Sequence, residues 1–423
     1  MSRIIIKDAQ IIDAEQETAS SPKTIVIEQG VFTQVLDSQG FDKQQLSEED
    51  VVIDGANKFV LPGLIDCHAH PCLADTNLSR LAHVPPTLMA ARASRILNGM
   101  LMRGFTTIRD ATGADWGIKQ AVEDGEIIGS RLFIAGRALS QTGGHGDMRA
   151  RTEHDQVCSC SSALGFTALV VDGCDDVRRA VREELRQGVD QIKIFVSGGV
   201  SSPHDPLECD QYSRQEIRTA VEEATRRNTY VMAHAYQASA IKTAVEEGVR
   251  TIEHGNLIDK EAAELMAEKG AFLVPTTVTY TVLEEEGIKN GWTDAMLDKL
   301  KVVKDASLQS LELCREAGVE IGFGTDLLGD SFDHQSREFI VRSDVESFRD
   351  TLLSATKINA KIVKQEGKLG VIQENAIADL LMLDSDPFED QNILQDQGRH
   401  MPLIIKAGEV VKNTLTESNP IAQ

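Results

Sequence analysis

From about residue 60 onward, short β-branched runs alternate with longer stretches whose apolar residues recur at helical spacing. That rhythm marks βα units around a parallel sheet. The candidate strands are "VLPGLID" (60–66), "FTTIRDA" (105–111), "RLFIAGR" (131–137), "QIKIFVS" (191–197), "TYVMAHA" (229–235), "RTIEHG" (250–255), "AFLVPTT" (271–277) and "EIGFGTD" (320–326). Amphipathic segments such as "DDVRRAVREELRQG" and "RQEIRTAVEEATRRN" lie between them, and several stop at Gly, a common helix terminator. Eight strands with interleaved helices predict a closed (β/α)8 barrel, a TIM barrel, with "VESFRDTLLSATKINAKIVKQ" as its closing helix. Residues 1–60 instead carry strand-like runs separated by polar turns, and "AIADLLMLD" and "MPLIIKAGEVVK" return to that character near the other end. The expected organisation is a small composite β domain, a β-sandwich built from 1–60 plus 371–423, and a barrel over 61–370.

Composition narrows the partners. The 423 residues are 41% hydrophobic and 26% charged, as in an ordinary soluble globular protein. Against 43 Lys and Arg stand 66 Asp and Glu, a formal charge of −23 that repels phosphate backbones and acidic membranes. The N-terminal "MSRIIIKDAQIIDAE" lacks the basic and long apolar regions of a signal peptide, and no apolar run is long enough to span a bilayer. The seven cysteines are scattered and odd in number, so a disulfide framework is not expected and a reducing cytoplasm is. Cys158 and Cys160 form a close pair, but no second cysteine pair completes a zinc site with them.

"LPGLIDCHAHP" (61–71) sets His68 and His70 one residue apart at the end of an apolar run. In extended chain, side chains at i and i+2 share a face, so the two imidazoles converge. An isolated pair of this kind is ordinarily just packed, and the rest of the chain decides. Lys193 lies inside the fourth candidate strand between Ile192 and Ile194, His234 near the end of the fifth, His254 at the end of the sixth, and Asp326 at the end of the eighth. Barrel active sites sit at the C-terminal ends of the strands, so these residues would face one rim. His68 and His70 then read as metal ligands. At the end of the second strand Arg109 and Asp110 read as a structural ion pair; the loop "SGGVSSPHDPLE" (197–208) after the fourth strand is expected to lie over the site and contact the substrate, with His204 in it as a loop residue rather than a ligand.

"PGLIDCHAH", the lysine of "QIKIF", "AHAY", "IEHG", "GTD" and the closing "GKLGVIQENAIADLLMLDSDP" together resemble the amidohydrolase superfamily of metal-dependent hydrolases, over essentially the whole chain. The strand lysine is similar to that of its binuclear branch, in which a carboxylated lysine bridges two metals. The resemblance implies His68, His70 and Asp326 on one divalent ion, His234 and His254 on the second, and a carbamate of Lys193 between them. An ammonium has no acceptor and cannot ligate, whereas a carbamate offers two oxygens. Imidazole and carboxylate ligands favour Zn2+, with manganese, cobalt and iron as alternatives. The implied nucleophile is a metal-bridging hydroxide, with Asp326 as the base that takes its proton and returns it to the leaving amine.

Two further stretches, "TGGHGD" with His145 and "HAY" with Tyr236, are similar to the subgroup holding prolidases, Xaa-Arg/Lys dipeptidases and ochratoxin hydrolases. There the matching pair binds or polarises the scissile carbonyl. The expected function is hydrolysis of dipeptides or N-acyl amino acids with release of the C-terminal amino acid. The alternatives are a cyclic-amide hydrolase of the imidazolonepropionase or dihydroorotase-like type and a metal-free assembly protein of the same fold, the latter disfavoured because all six ligand positions are filled. The expected partners are a small-molecule substrate and, as in relatives, further copies of the chain in a homo-oligomer.

Overall fold

The computed structural model describes residues 3–41, 46–75, 78–81, 84–149, 151–153, 168–202, 205–287, 289 and 292–415. Cys158, Cys160 and His204 lie outside the described residues. The chain is a mixed α/β protein, and it divides into two compact units, one of residues 1–65, 99–107 and 346–423, the other of 66–98 and 108–345.

The first unit is built on an eight-stranded sheet that draws on both chain regions. Ile4–Asp13 runs antiparallel to Thr18–Glu28 and parallel to Val51–Asp54 and Phe59–Pro62, and Phe59–Pro62 pairs antiparallel with Leu380–Leu383. Alternate residues Ile4 and Ile6, Ile25 and Ile27, Leu380 and Met382, and Leu403 and Ile405 form one apolar core, the period-2 signature of a strand. Their neighbours Ile5, Leu381 and Ile404 are buried as well, so this part of the sheet is covered on both faces. The expected closing helix belongs to this unit and is interrupted by a π-turn, Ser354–Ile358, between Phe348–Leu353 and Asn359–Ile362.

In the second unit six strands run parallel in the order Ala168–Val170, Ala138–Ser140, Ile192–Phe195, Val231–Gln237, Thr251–Leu257, Phe272–Val274. A three-stranded sheet joins Leu64–Ala69, Phe105–Asp110 and Arg131–Phe133. The helices Cys174–Arg186, Arg214–Arg226, Ala238–Glu246 and Lys260–Lys269 lay apolar stripes (Val177, Val181; Ile217, Ala224; Ile241, Val245; Met266) against Ile192, Ile194, Ala233 and Ile252. Sequence signals set their ends. Ser213 and Glu216 form a reciprocal capping box, and Gly270 closes its helix in the left-handed conformation.

Two expected strands change. "EIGFGTD" is not a ladder strand; it makes one parallel bridge, Ile321 to Leu273, and beyond it the Phe323 carbonyl accepts from Cys67 N while the N–H groups of Thr325 and Asp326 reach the His68 carbonyl. "RLFIAGR" is strand only over Arg131–Phe133. The following Ala138–Ser140, too short to show a period, supplies the neighbour of Ile192–Phe195 instead. No helix among the described residues is long and apolar enough to cross a membrane.

Candidate active site

Strand Leu64–Ala69 carries Asp66 and His68 on one face, and His70 follows directly. The backbone N–H groups of Thr325 and Asp326 both donate to the His68 carbonyl, at 3.1 and 2.8 Å. Gly324 permits this close return, since a Cβ there would sit 2.7 Å from His68 Cβ and 2.4 Å from Val274 Cγ1. Buried Asp66 braces both chains by accepting from His68 N (3.0 Å), Thr325 Oγ1 (2.6 Å) and Gln335 Nε2 (2.9 Å). Asp326 itself has φ of +51°, a conformation costly for a non-glycine residue and common where function demands it. The result is a triad in which ligand atoms of His68, His70 and Asp326 all lie within 4.8 Å of one another.

The proton positions show what this triad is made for. His70 donates from Nδ1 to the Thr112 carbonyl (3.2 Å), and His68 donates from Nδ1 to the Glu253 carboxylate (2.7 Å). Their Nε2 lone pairs therefore face Asp326 Oδ1, at 2.9 Å from His70 and 3.4 Å from His68. Acceptors opposed at that distance need either a second proton on each ring or a cation between them. Burial tends to raise the pKa of Asp326, but His68, His70 and His254 hold it well below the usual carboxylate range. Anionic carboxylate beside imidazoles oriented by their far nitrogens is the donor set of a divalent metal.

Glu253 is the buried support of this set. It takes both nitrogen-to-oxygen contacts from Arg109 Nη2 at 2.9 Å, while Arg109 Nε donates to the Cys67 carbonyl at 2.6 Å and Nη1 to Thr251 Oγ1 at 3.0 Å. Burial opposes ionisation of Glu253, yet Arg109 and His68 hold its pKa far below the ordinary value. Arg109 is thus paired with Glu253, not with Asp110 as the adjacent positions suggest. Neighbours in a strand point to opposite faces, and Asp110 instead accepts from the N–H groups of Ala114 and Ala135.

Lys193, His234 and His254 complete the arrangement. Phe195 lies in register with His234, and His234 with Glu253, so Lys193, His234 and Glu253 share a face. Simple alternation would send His254 the other way. Its φ of +74° turns it back, placing its ring 4.7 Å from that of His234 and 4.9 Å from that of His68. His254 Nδ1 contacts Thr276 Oγ1 at 2.8 Å, and His234 Nε2 donates to the Gly198 carbonyl at 3.2 Å. Burial first, then neighbouring positive groups, pushes the His234 pKa well below normal; burial does the same for His254 against the pull of Asp326. Neutral imidazole is the ligating form. Burial also lowers Lys193 to about 8 despite Glu253 and Asp326, which favours the neutral amine.

His145 stacks on His234 with ring centroids 4.3 Å apart and planes 17° from parallel. Its Nδ1 meets Ser202 Oγ at 2.8 Å and Asp205 Oδ2 at 3.4 Å, and Ser202 in turn donates to Asp205. Gly199 lies flat on the ring, where a Cβ would come 2.1 Å from Cε1. Lys299, on helix Asp294–Ala317, ties this loop by donating to the carbonyls of Gly199, Ser202 and Asp205 at 3.0, 3.1 and 2.5 Å. Buried Tyr236 packs edge-on to His234 at 4.9 Å. Glu253 and Lys299 were not anticipated from the sequence, and Ser202 and Asp205 only as members of the 197–208 loop expected over the site. Glu253 alone had a signal, being next to His254 and two residues from Thr251 on one strand.

His68, His70, His145, Lys193, His234, Tyr236, His254 and Asp326 all line one pocket that is partly open to solvent. The model of the Amidohydrolase family matches residues 59–414. The chain belongs to that family. Among relatives, this amidohydrolase is 31% identical over 368 residues to an ochratoxinase of Aspergillus niger, covering 84% of this chain and 75% of that protein. It also matches the crystal structure of a prolidase complexed with N-methylphosphonate-L-proline, at 46% identity and a TM-score of 0.94 over 97% of this chain and 100% of that one. A Xaa-Pro dipeptidase with methionine bound in its active site matches at 28% identity and a TM-score of 0.85, over 97% of this chain and 100% of that one.

Proposed function

We propose that this amidohydrolase cleaves the amide bond of dipeptides or N-acyl amino acids and releases the C-terminal amino acid. The observation that carries the reading is the convergence of all eight residues on one pocket. The likeness to an ochratoxinase and to prolidase structures supports it. The same reading takes the parallel strands, with the Leu273–Ile321 bridge, as a (β/α)8 barrel and the chain-end strands as a β-sandwich.

His68, His70 and Asp326 would hold one divalent ion and His234 and His254 a second, with Lys193 joining both as a carbamate. Two such ions, Zn2+ by ligand type, would acidify water to a nucleophile at neutral pH and polarise the scissile carbonyl. The protein's own groups then have distinct tasks. Asp326, anionic and already facing His68 and His70, accepts the proton of the attacking water on a carboxylate oxygen and returns it to the departing nitrogen. Ser202, whose own proton goes to Asp205, accepts from His145 Nδ1, so His145 presents its Nε2 edge to the substrate, as a donor when the ring carries both protons. Tyr236 lines the same pocket; its hydroxyl proton goes to Tyr280, which itself donates to Asn256, and on turning from Tyr280 to the substrate it would supply a second donor to the developing oxyanion.

The test is amine release by metal-loaded protein from dipeptides and N-acyl amino acids, each with a free and an amidated C-terminus. Cleavage of the free acids with two metals per chain is expected. Silence across the panel with both metals bound would reject the reading and turn attention to cyclic amides.

A further inference from the structure

Helix Thr277–Glu286 and its N-cap residue Thr276 carry Thr276, Thr279, Tyr280 and Leu283 at i, i+3, i+4 and i+7, which puts them on one face. Thr279, Tyr280 and Leu283 line the pocket, and Thr276, Thr279 and Tyr280 are buried. Thr279 Oγ1 donates to the backbone carbonyl of Asp326 at 3.0 Å, while the N–H of Asp326 is held by the His68 carbonyl at 2.8 Å. The left-handed Asp326 is thus clamped on both sides of its Cα. One turn earlier, Thr276 Oγ1 lies 2.8 Å from His254 Nδ1 and 3.5 Å from Tyr280 Oη. By accepting the Nδ1 proton, Thr276 leaves His254 with its Nε2 lone pair free to ligate.

The local cost of this arrangement points to function. Among the described residues Thr276 is the one β-branched residue with a positive φ, +52°, an outlier for that type of side chain. It also stands at an N-cap, where a threonine hydroxyl ordinarily accepts from an N–H of the first helical turn. It makes no such bond. Buried Glu338 does so in its place, accepting from the N–H groups of Thr277 and Val278 at 3.3 and 2.6 Å. A hydroxyl withdrawn from its own cap, on a strained backbone, is a hydroxyl kept for His254. Resting on the reading of His254 and Asp326 as ligands, we propose that Thr276 and Thr279 are positioning residues. From one helix face they lock the His254 ring and the Asp326 backbone, one member of each ligand set, and so hold the metals in place.

The test follows zinc release from the zinc-loaded protein into an excess of chelator. Thr276→Val and Thr279→Val keep the shape of each side chain and delete its hydroxyl. Each should release zinc about tenfold faster or more, the size of effect that follows loss of a partner to a metal ligand. Thr276→Ser and Thr279→Ser, which keep the hydroxyl, should release it at nearly the parent rate, and the thermal midpoint of the metal-free protein should be alike in the parent and the Val variants. Parent-like release from both Val variants overturns the inference. So does faster release that serine fails to restore, since that marks a packing defect. Faster release from one Val variant alone overturns the assignment of the other residue. In each of these cases the ligand reading and amide hydrolysis stand. A parent protein that takes up no zinc overturns the ligand reading and this inference with it.

Discussion

The two sides of the cavity are held by different means. His68 is fixed by a buried carboxylate whose own charge is balanced by a buried guanidinium, with Glu253, Arg109, Thr251 and the Cys67 carbonyl all on or beside strands. His145 is fixed by a loop: Ser202 and Asp205 on its Nδ1, Gly199 against its ring and Lys299 across three carbonyls. A metal ligand set tolerates little displacement, and a strand-borne network whose members are mutually satisfied gives that rigidity. A group that meets substrate can sit on a loop, where the partners can differ from one specificity to another while the ligand side stays intact. Substitutions at four residues probe the contrast.

The largest effect belongs to Asp326, to which the proposed function assigns both metal binding and proton transfer. Asp326→Asn should lower kcat by about 10^3-fold or more, in the range of a lost acid–base group, while metal analysis still finds part of the normal content. Near-normal turnover would remove Asp326 from the proton path. Next comes Arg109→Met, which strips the counter-charge from a fully buried Glu253. It should cost about 3–5 kcal/mol of stability in denaturant unfolding, as breaking one half of a buried ion pair does. A loss below about 1 kcal/mol would mean that Glu253 is balanced elsewhere and that the strand side is less rigid than its geometry implies.

On the loop side, His145→Ala should reduce kcat/KM by about 10^2-fold with little change in metal content or thermal midpoint, the size expected for one preorganised oxyanion donor. Loss of metal on this substitution would place His145 among the ligands and dissolve the contrast.

The contrast also explains what the sequence could disclose. His68, His70, His234 and Asp326 stand at or just beyond the ends of apolar runs, where a period of 2 and the rim of a parallel fold give direction to a side chain. His254 was found for a reason that does not hold locally, because alternation points it away and a left-handed φ brings it in. Asp326 was placed at the end of a strand, whereas its segment carries a single bridge and is held to His68 by backbone hydrogen bonds. The partners of His145 come from residues 57 and 60 positions along the chain for Ser202 and Asp205, with no shared period to reveal them. Long-range loop contacts leave no pattern in a linear sequence. The ends of the chain were legible for the opposite reason, since alternating pairs such as Ile25 and Ile27, or Leu403 and Ile405, announce strands wherever their partners lie.

The smallest expected effect tests the loop's anchor. Lys299 spends the three donors of its ammonium on three carbonyls of one loop, and burial lowers its pKa in spite of Asp205 nearby. Lys299→Met keeps the aliphatic stem in its packing and deletes only those donors. The loop should then hold Ser202 and Asp205 less exactingly, and His145 with them, so kcat/KM should fall about tenfold while the thermal midpoint moves by only a few degrees. Lys299→Arg, which restores donors in a planar fork, should recover part of that loss. The double variant with His145→Ala is the sharper measurement. If Lys299 acts through His145, its removal adds almost nothing once the imidazole is gone, because sites in one network are not additive. Full additivity would make Lys299 a general strut of the helix and separate it from the chemistry.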